Sequence, residues 1–162
     1  MKAVFVFDIP ASMWLTENQR KDWRAKGRAT GKLRFLGAVT AKALRAAVAR
    51  GETFAVNADG DLIGRVEFPD GLERPAPWWS PERRCQYVAV IGWPSNRRSD
   101  SDNAMPTVKA LLDGLVDGRI LSDDGDAVIA SRTLARDTAN ARKGFHRVTF
   151  CLEDVPERGE LP

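Results

Sequence analysis

Four aspartates and a lysine in the second half of the chain have the types and spacing of a cation-assisted phosphate-cleaving site. Asp100 and Asp102 flank one residue beyond a β-rich run, Lys109 follows, and Asp123 and Asp124 sit side by side after an amphipathic stretch. On a strand, side chains at i and i+2 point the same way, so the first pair should converge. A helix of roughly 15 residues between the pairs would leave the strand end, run alongside the sheet and return near the same edge. Carboxylates gathered at low dielectric need bound cations or shared protons. Hard oxygen ligands select Mg²⁺, with Mn²⁺ as substitute. Such an ion keeps open positions for phosphate oxygens, and one of its waters can attack a phosphodiester. Lys109 would reach the same edge and neutralise charge on the phosphorane or leaving oxygen.

Plainer readings use the same residues. Asp100 and Asp102 can form a solvated turn, Asp102 and Asn103 can cap a helix, and Lys109 with Asp113 can be an i, i+4 surface pair. "SDDGD" is also an ordinary turn composition. An EF-hand is excluded, because a loop starting at Asp100 has Met105 where glycine is required and Leu111 where a bidentate acid is required.

The elements that must position these residues are legible. "KAVFVFDIP" reads as a first strand stopped at Pro10. From about Thr16 a helical pattern develops through Leu33, Leu36, Val39, Ala43, Leu44 and Ala47, and Gly27, Gly31 and Gly37 leave open whether it is one helix or two. "TFAVNADGDLIGRVEF" reads as a hairpin turning at Asp59 and Gly60, and "PDGLERPAPWWSPERR" as an irregular loop. "CQYVAVIGW" is apolar throughout, as a central strand covered on both faces would be. Val108, Leu111, Leu112, Leu115 and Val116 mark an amphipathic helix with Pro106 in its first turn, ended by Gly118. "DAVIASRTLAR" and "KGFHRVTFCLED" read as closing strands. The expected fold is α/β of the α+β type, with a small mixed sheet, a long basic N-terminal helical segment and a second amphipathic helix. One domain over residues 1–152 is followed by a tail over 153–162.

The chain has 162 residues, 43% hydrophobic and 29% charged, enough for one core without metal or disulfide staples. No apolar run reaches the roughly 20 residues of a membrane span, and Asp8 interrupts what would be a signal peptide's apolar stretch, so a cytoplasmic protein is expected. Cys85 and Cys151 sit in strand-like runs and read as buried free thiols. The net charge of +3 is unevenly spread: residues 16–50 hold ten Lys or Arg against two acids, and residues 99–126 hold seven acids against Lys109 and Arg119. Acids alone would repel a phosphate chain, so the basic surface is what would let one approach.

On these residues the chain resembles the RusA family of Holliday junction resolvases, particularly the versions carried by bacteriophages. "DSDNAMPTVKALLDGLVDGRILSDD" matches the family pattern of an aspartate pair followed by asparagine, a lysine opening an amphipathic helix, and paired aspartates after a turn. "WLTENQRKDWRAKGRATGKLR" resembles the family's asparagine and basic run into the long helix. The resemblance spans about residues 8–50 and 86–152. It implies that Asp100 and Asp102 are metal ligands, that Asp124 with Asp123 beside it completes the metal site, and that Lys109 is the catalytic lysine. It also implies a symmetric Mg²⁺-dependent homodimer that resolves four-way DNA junctions by paired nicks during recombination and repair, in the host cytoplasm where phage-encoded. Arg119 departs from the glycine the family often carries, and residues 52–84 exceed the family's minimal length.

DNA would be held by Arg20, Lys21, Arg24, Lys26, Arg28 and Lys32, by Arg97 and Arg98 before the acids, and by Arg136, Arg142 and Lys143 at the last hairpin tip. Trp78 and Trp79 are expected to pack on their own domain or a dimer mate before stacking on bases. His146 reads as structural, and no Walker loop implies a nucleotide cofactor. Two other functions fit the same residues: a non-catalytic module that binds branched DNA, and a nuclease that cuts flaps or forks.

Overall fold

The first strand, Lys2–Pro10 (β1), lies in the middle of the molecule, with Ala3, Phe5, Phe7 and Ile9 at most 1% exposed. The computed structural model describes residues 1–18, 20, 22–69, 76–95 and 100–155. After β1 come helix α1 (Trp23–Ala49), strands β2 (Phe54–Val56), β3 (Leu62–Glu67) and β4 (Cys85–Gly92), a 3₁₀ turn (Ser101–Ala104), helix α2 (Met105–Asp117), and strands β5 (Ile129–Arg136) and β6 (Phe145–Asp154). The strands form one six-stranded sheet in the order β2-β3-β1-β6-β4-β5. Among these six strands β4 and β5 alone pair in parallel, and α2 is part of the crossover a parallel pair requires. The expected small mixed α+β domain is what the chain forms.

The α1 region is one continuous helix of 27 residues. It begins at Trp23 and not at Thr16, because the segment before it docks on α2: Thr107 Oγ1 accepts from the Leu15 N–H and donates to the Leu15 carbonyl, both at 2.9 Å. Gly27 and Gly31 leave nothing within 4 Å of where a Cβ would stand, whereas Gly37 packs directly against α2. A Cβ on Gly37 would lie 2.4 Å from the Leu111 carbonyl oxygen, and one on Gly114 would lie 2.2 Å from that of Arg34. The glycines that blur the helical pattern in the sequence are partly the surface through which two helices touch.

Val108, Leu111, Leu112 and Leu115 are all buried, as their spacing predicts. β4 is flanked by β6 and β5 but is not covered on both faces along its length, since Val88 is 37% exposed. Asn57 turns the β2–β3 hairpin, its Oδ1 accepting from the Asp59 and Asp61 N–H groups at 3.0 and 2.9 Å. Glu153 and Asp154, the end of the strand-like run "KGFHRVTFCLED" but past the domain limit set at 152, are the last residues of β6, and Asp154 accepts bonds from Trp79 Nε1 at 2.8 Å and Arg83 Nη2 at 2.7 Å. Cys85 is buried, Cys151 is half-buried, and both are free thiols.

Helix α2 ends with Gly118 in a right-handed conformation (φ −80°), and the left-handed residue is Arg119 (φ +62°). The departure noted in the sequence therefore falls where glycine is conformationally favoured. Arg119→Gly is expected to raise the unfolding free energy by about 0.5–1 kcal/mol, the strain relieved exceeding the added freedom of the unfolded chain. Urea denaturation checks this, and a loss of stability would contradict it.

Candidate functional site

The segment from Asp100 to Asp102 is not the end of a strand, which corrects the sequence-based geometry. β4 stops at Gly92, Asp100 caps a 3₁₀ turn with extended backbone (ψ 136°), and Asp102 lies in that turn. In a helix of three residues per turn, i and i+2 diverge, so alternation along a strand cannot converge these two carboxylates. What anchors the turn is the residue after them. Asn103 accepts from the Glu17 N–H at 3.2 Å through its carbonyl and from Asn18 Nδ2 at 2.9 Å through Oδ1. Asp100 and Asp102 are exposed, and among the described residues neither carboxylate has a hydrogen-bonding or ionic partner.

Lys109 and Asp124 do come together. The Lys109 ammonium donates to the carboxylates of both Asp113 and Asp124. The i, i+4 surface pair with Asp113 read from the sequence is thus present, together with an ion pair to Asp124 that the sequence did not indicate. Partial burial by itself would lower the Lys109 pKa; the two carboxylates outweigh it and hold the ammonium above its ordinary value. The bond from Lys109 holds Asp124 below the usual carboxylate range against the opposing effect of burial. Asp123, by contrast, is exposed, and among the described residues its carboxylate accepts only from the Gly125 N–H in its own turn, at 3.2 Å. The resemblance put Asp124 first with Asp123 beside it, and the fold turns Asp124 toward the lysine.

Two groups that sequence reasoning missed hold this turn. Arg132 on β5 donates through Nη2 to the Asp124 carbonyl at 2.8 Å and through Nη1 to Asp126 at 2.6 Å. The Trp78 and Trp79 N–H groups donate to the Ile120 carbonyl at 2.9 and 3.1 Å, and the Ser122 N–H donates to the Trp79 carbonyl at 2.9 Å. Trp79 is fully buried and Trp78 is 5% exposed, so packing on their own domain is what these tryptophans do. Part of the stretch 52–84 therefore braces the turn carrying Asp123 and Asp124. No local signal marks Arg132, which is one arginine within an ordinary strand pattern.

Arg20, Arg24, Lys26, Arg28 and Lys32 are exposed on or before the first half of α1, with the Arg24 guanidinium 5.1 Å from the centroid of Trp23. Lys143 is exposed, and the Arg142 guanidinium stacks 3.9 Å over the Phe145 ring. Lys21, Arg97 and Arg98 lie outside the described residues. Arg34 and Arg50 are held by Asp117 (Nη2 to Oδ1, 2.7 Å) and Glu52 (2.9 Å), which assigns part of the basic run to the scaffold. His146 is half-buried between Trp14, stacked at 4.2 Å, and Trp93, edge-on at 5.3 Å, and burial pushes its pKa down to about 4. Its ring packs between two indoles on β6, the setting the structural reading of its strand position expects.

The donor set at the acidic turns is all carboxylate oxygen, the chemistry a hard divalent cation takes. Among the described residues, no three Asp, Glu, His or Cys side chains stand close enough together to hold a metal ion as placed. At Asp124 the neutralising cation is the protein's own Lys109. No described helix is long and apolar enough to cross a membrane. No protein-family model matches the chain, and a search of curated proteins finds no match.

Proposed function

We propose that the protein is a metal-dependent, structure-selective endonuclease that resolves four-way DNA junctions by paired symmetric nicks, acting as a homodimer in the cytoplasm. The observation that carries this reading is the meeting of Lys109 with Asp124, residues from a helix and from the turn beyond it, with Lys109 about one turn into α2, the helix that directly follows the 3₁₀ turn holding Asp102. A lysine beside an acid at a helix start suits a reaction in which negative charge builds on phosphate oxygens. Asp100, Asp102 and Asp124, with Asp123 beside it, would hold Mg²⁺ or Mn²⁺. Such an ion supplies a water of lowered pKa and a Lewis acid toward phosphate. Lys109 neutralises charge on the leaving oxygen, and Asp113 keeps the ammonium within reach of the turn. Arg20, Arg24 and Lys26, with Lys21, Arg97 and Arg98, track the backbone phosphates of the arms, and Arg142 and Lys143 do the same from the hairpin tip. Two symmetric nicks need two sites related by a two-fold axis, which a C2 homodimer provides.

The separation of the carboxylates among the described residues favours a second reading, a module that binds branched DNA without cutting it. Incubating the protein with a labelled synthetic four-way junction, first with Mg²⁺ and then with EDTA, separates the two. Paired nicks that vanish with EDTA are expected. Binding with no nick under Mg²⁺ or Mn²⁺ would replace the nuclease by the binder, and preferential cutting of flaps or forks in the same panel would change the substrate while keeping the site.

A further inference from the structure

On the side of the molecule where α1 faces the end of β1 and the β2–β3 hairpin, large apolar side chains are exposed: Phe35 by 70%, Val56 by 48%, Val39 by 44% and Leu62 by 42%. They are not scattered. A groove of about 590 Å³ between α1 and the end of β1 is lined by Met13, Phe35 and Val39, and a second of about 380 Å³ between α1 and the hairpin is lined by Val39, Val56 and Leu62. The two share Leu36, Val39 and Asp8, the last with its carboxylate already held by Arg147 at 2.8 Å, so they form one continuous and mainly apolar trough. A connected surface of this kind on a small chain marks an interaction site, whereas single exposed apolar residues need no explanation.

The charges at the two ends of the trough say what fits it. Arg28 and Lys32 line one end, both exposed and without an anionic partner among the described residues. Asp61 lies at the other end, exposed, its carboxylate meeting only the amide of Asn57 at 3.3 Å. Cations, apolar middle and anion in that order form a self-complementary pattern. A two-fold axis through Leu36 and Val39 sets the apolar middle of one copy on that of another and brings each cationic end against the partner's anionic end. DNA would match the cationic end alone and would leave Phe35, Val39, Val56 and Leu62 wet.

We infer that this trough is the surface through which two copies of the chain associate, with Phe35 and Val39 at its centre and Lys32 opposite Asp61 across the axis. The inference names the partner that the paired-nick reading requires, and it rests on that reading for its purpose alone. It also removes Arg28 and Lys32 from the phosphate-contacting set expected from the sequence.

The test is the molar mass of the full chain in solution, by light scattering on a sizing column. The wild-type chain is expected to be a dimer, and Phe35→Asp, at an exposed position, a monomer with unchanged circular dichroism. Lys32→Glu alone should weaken the dimer about tenfold through like charges brought face to face, and adding Asp61→Lys should restore it. A wild-type monomer at tens of micromolar, a Phe35→Asp dimer, or a Lys32→Glu effect that Asp61→Lys does not repair would each overturn the inference. So would a Lys32→Glu variant whose mass is unchanged while its junction binding and salt dependence fall, because Lys32 would then touch DNA. A dimer assembled through this surface that never nicks DNA would defeat the nuclease reading and leave the interface standing.

Discussion

Asp102→Asn is expected to lower the rate of junction cleavage by at least about a hundredfold, the scale on which losing a charge-stabilising group acts in a catalytic site. Junction binding should be unchanged or tighter, because a negative charge facing phosphate is removed. The substitution is nearly isosteric, and Asp102 is exposed with no described partner, so little else changes. Its place in the 3₁₀ turn leading into α2 gives it a small favourable interaction with the helix N-terminus, and losing that costs about 0.3–1 kcal/mol. A thermal scan beside the cleavage assay therefore separates chemistry from folding. If the variant cuts four-way junctions at the wild-type rate, Asp102 takes no part in the chemistry and the nuclease assignment fails with it.

Gly114→Val is expected to cost about 3 kcal/mol or more in unfolding free energy, at the upper end of what overpacking does. A single Cβ there already meets the Arg34 carbonyl oxygen at 2.2 Å, the Gly37 Cα at 2.7 Å and the Ala38 nitrogen at 2.8 Å. These are backbone atoms of a helix and cannot swing aside as a flexible side chain would. The helices must part, which also loosens the bidentate Arg34–Asp117 pair bridging them. Gly27→Ala on the same α1 helix is the control: its Cβ meets nothing within 4 Å, so the change should stabilise by about 0.5–1 kcal/mol. Urea midpoints for the two variants decide the matter, and a Gly114→Val protein as stable as wild type would mean that the helices do not cross there.

How far each part of the molecule could be read in advance follows from the range of the forces involved. The strands around Val4, Val90 and Phe150, the Asn57–Asp61 hairpin turn and the buried stripe of α2 are written in local periodicity and turn chemistry, which act over a few residues. α1 was ambiguous because its three glycines look alike in sequence. Gly37 faces the backbone of α2 and Gly27 faces open space, and only packing between distant segments separates them. The acidic segment shows the same limit. Its residue types and spacing pointed to one constellation, but the assumption that Asp100 and Asp102 lie at a strand end failed, because β4 stops at Gly92 and the two aspartates belong to a separate 3₁₀ turn and its cap position.

By itself the sequence determined the mixed α+β architecture and the buried stripe of α2, and it ranked packing of Trp78 and Trp79 ahead of base stacking. Periodicity, turn residues and charge spacing are enough for those. Tertiary structure alone decided that Asp124 and not Asp123 meets the lysine, that Arg132 and the Trp78–Trp79 strap hold their turn, and that α1 leaves an apolar trough open beside Arg28 and Lys32. Each of these depends on contacts between residues far apart in the chain, whose geometry is set only once the helices and the sheet have closed on a common core.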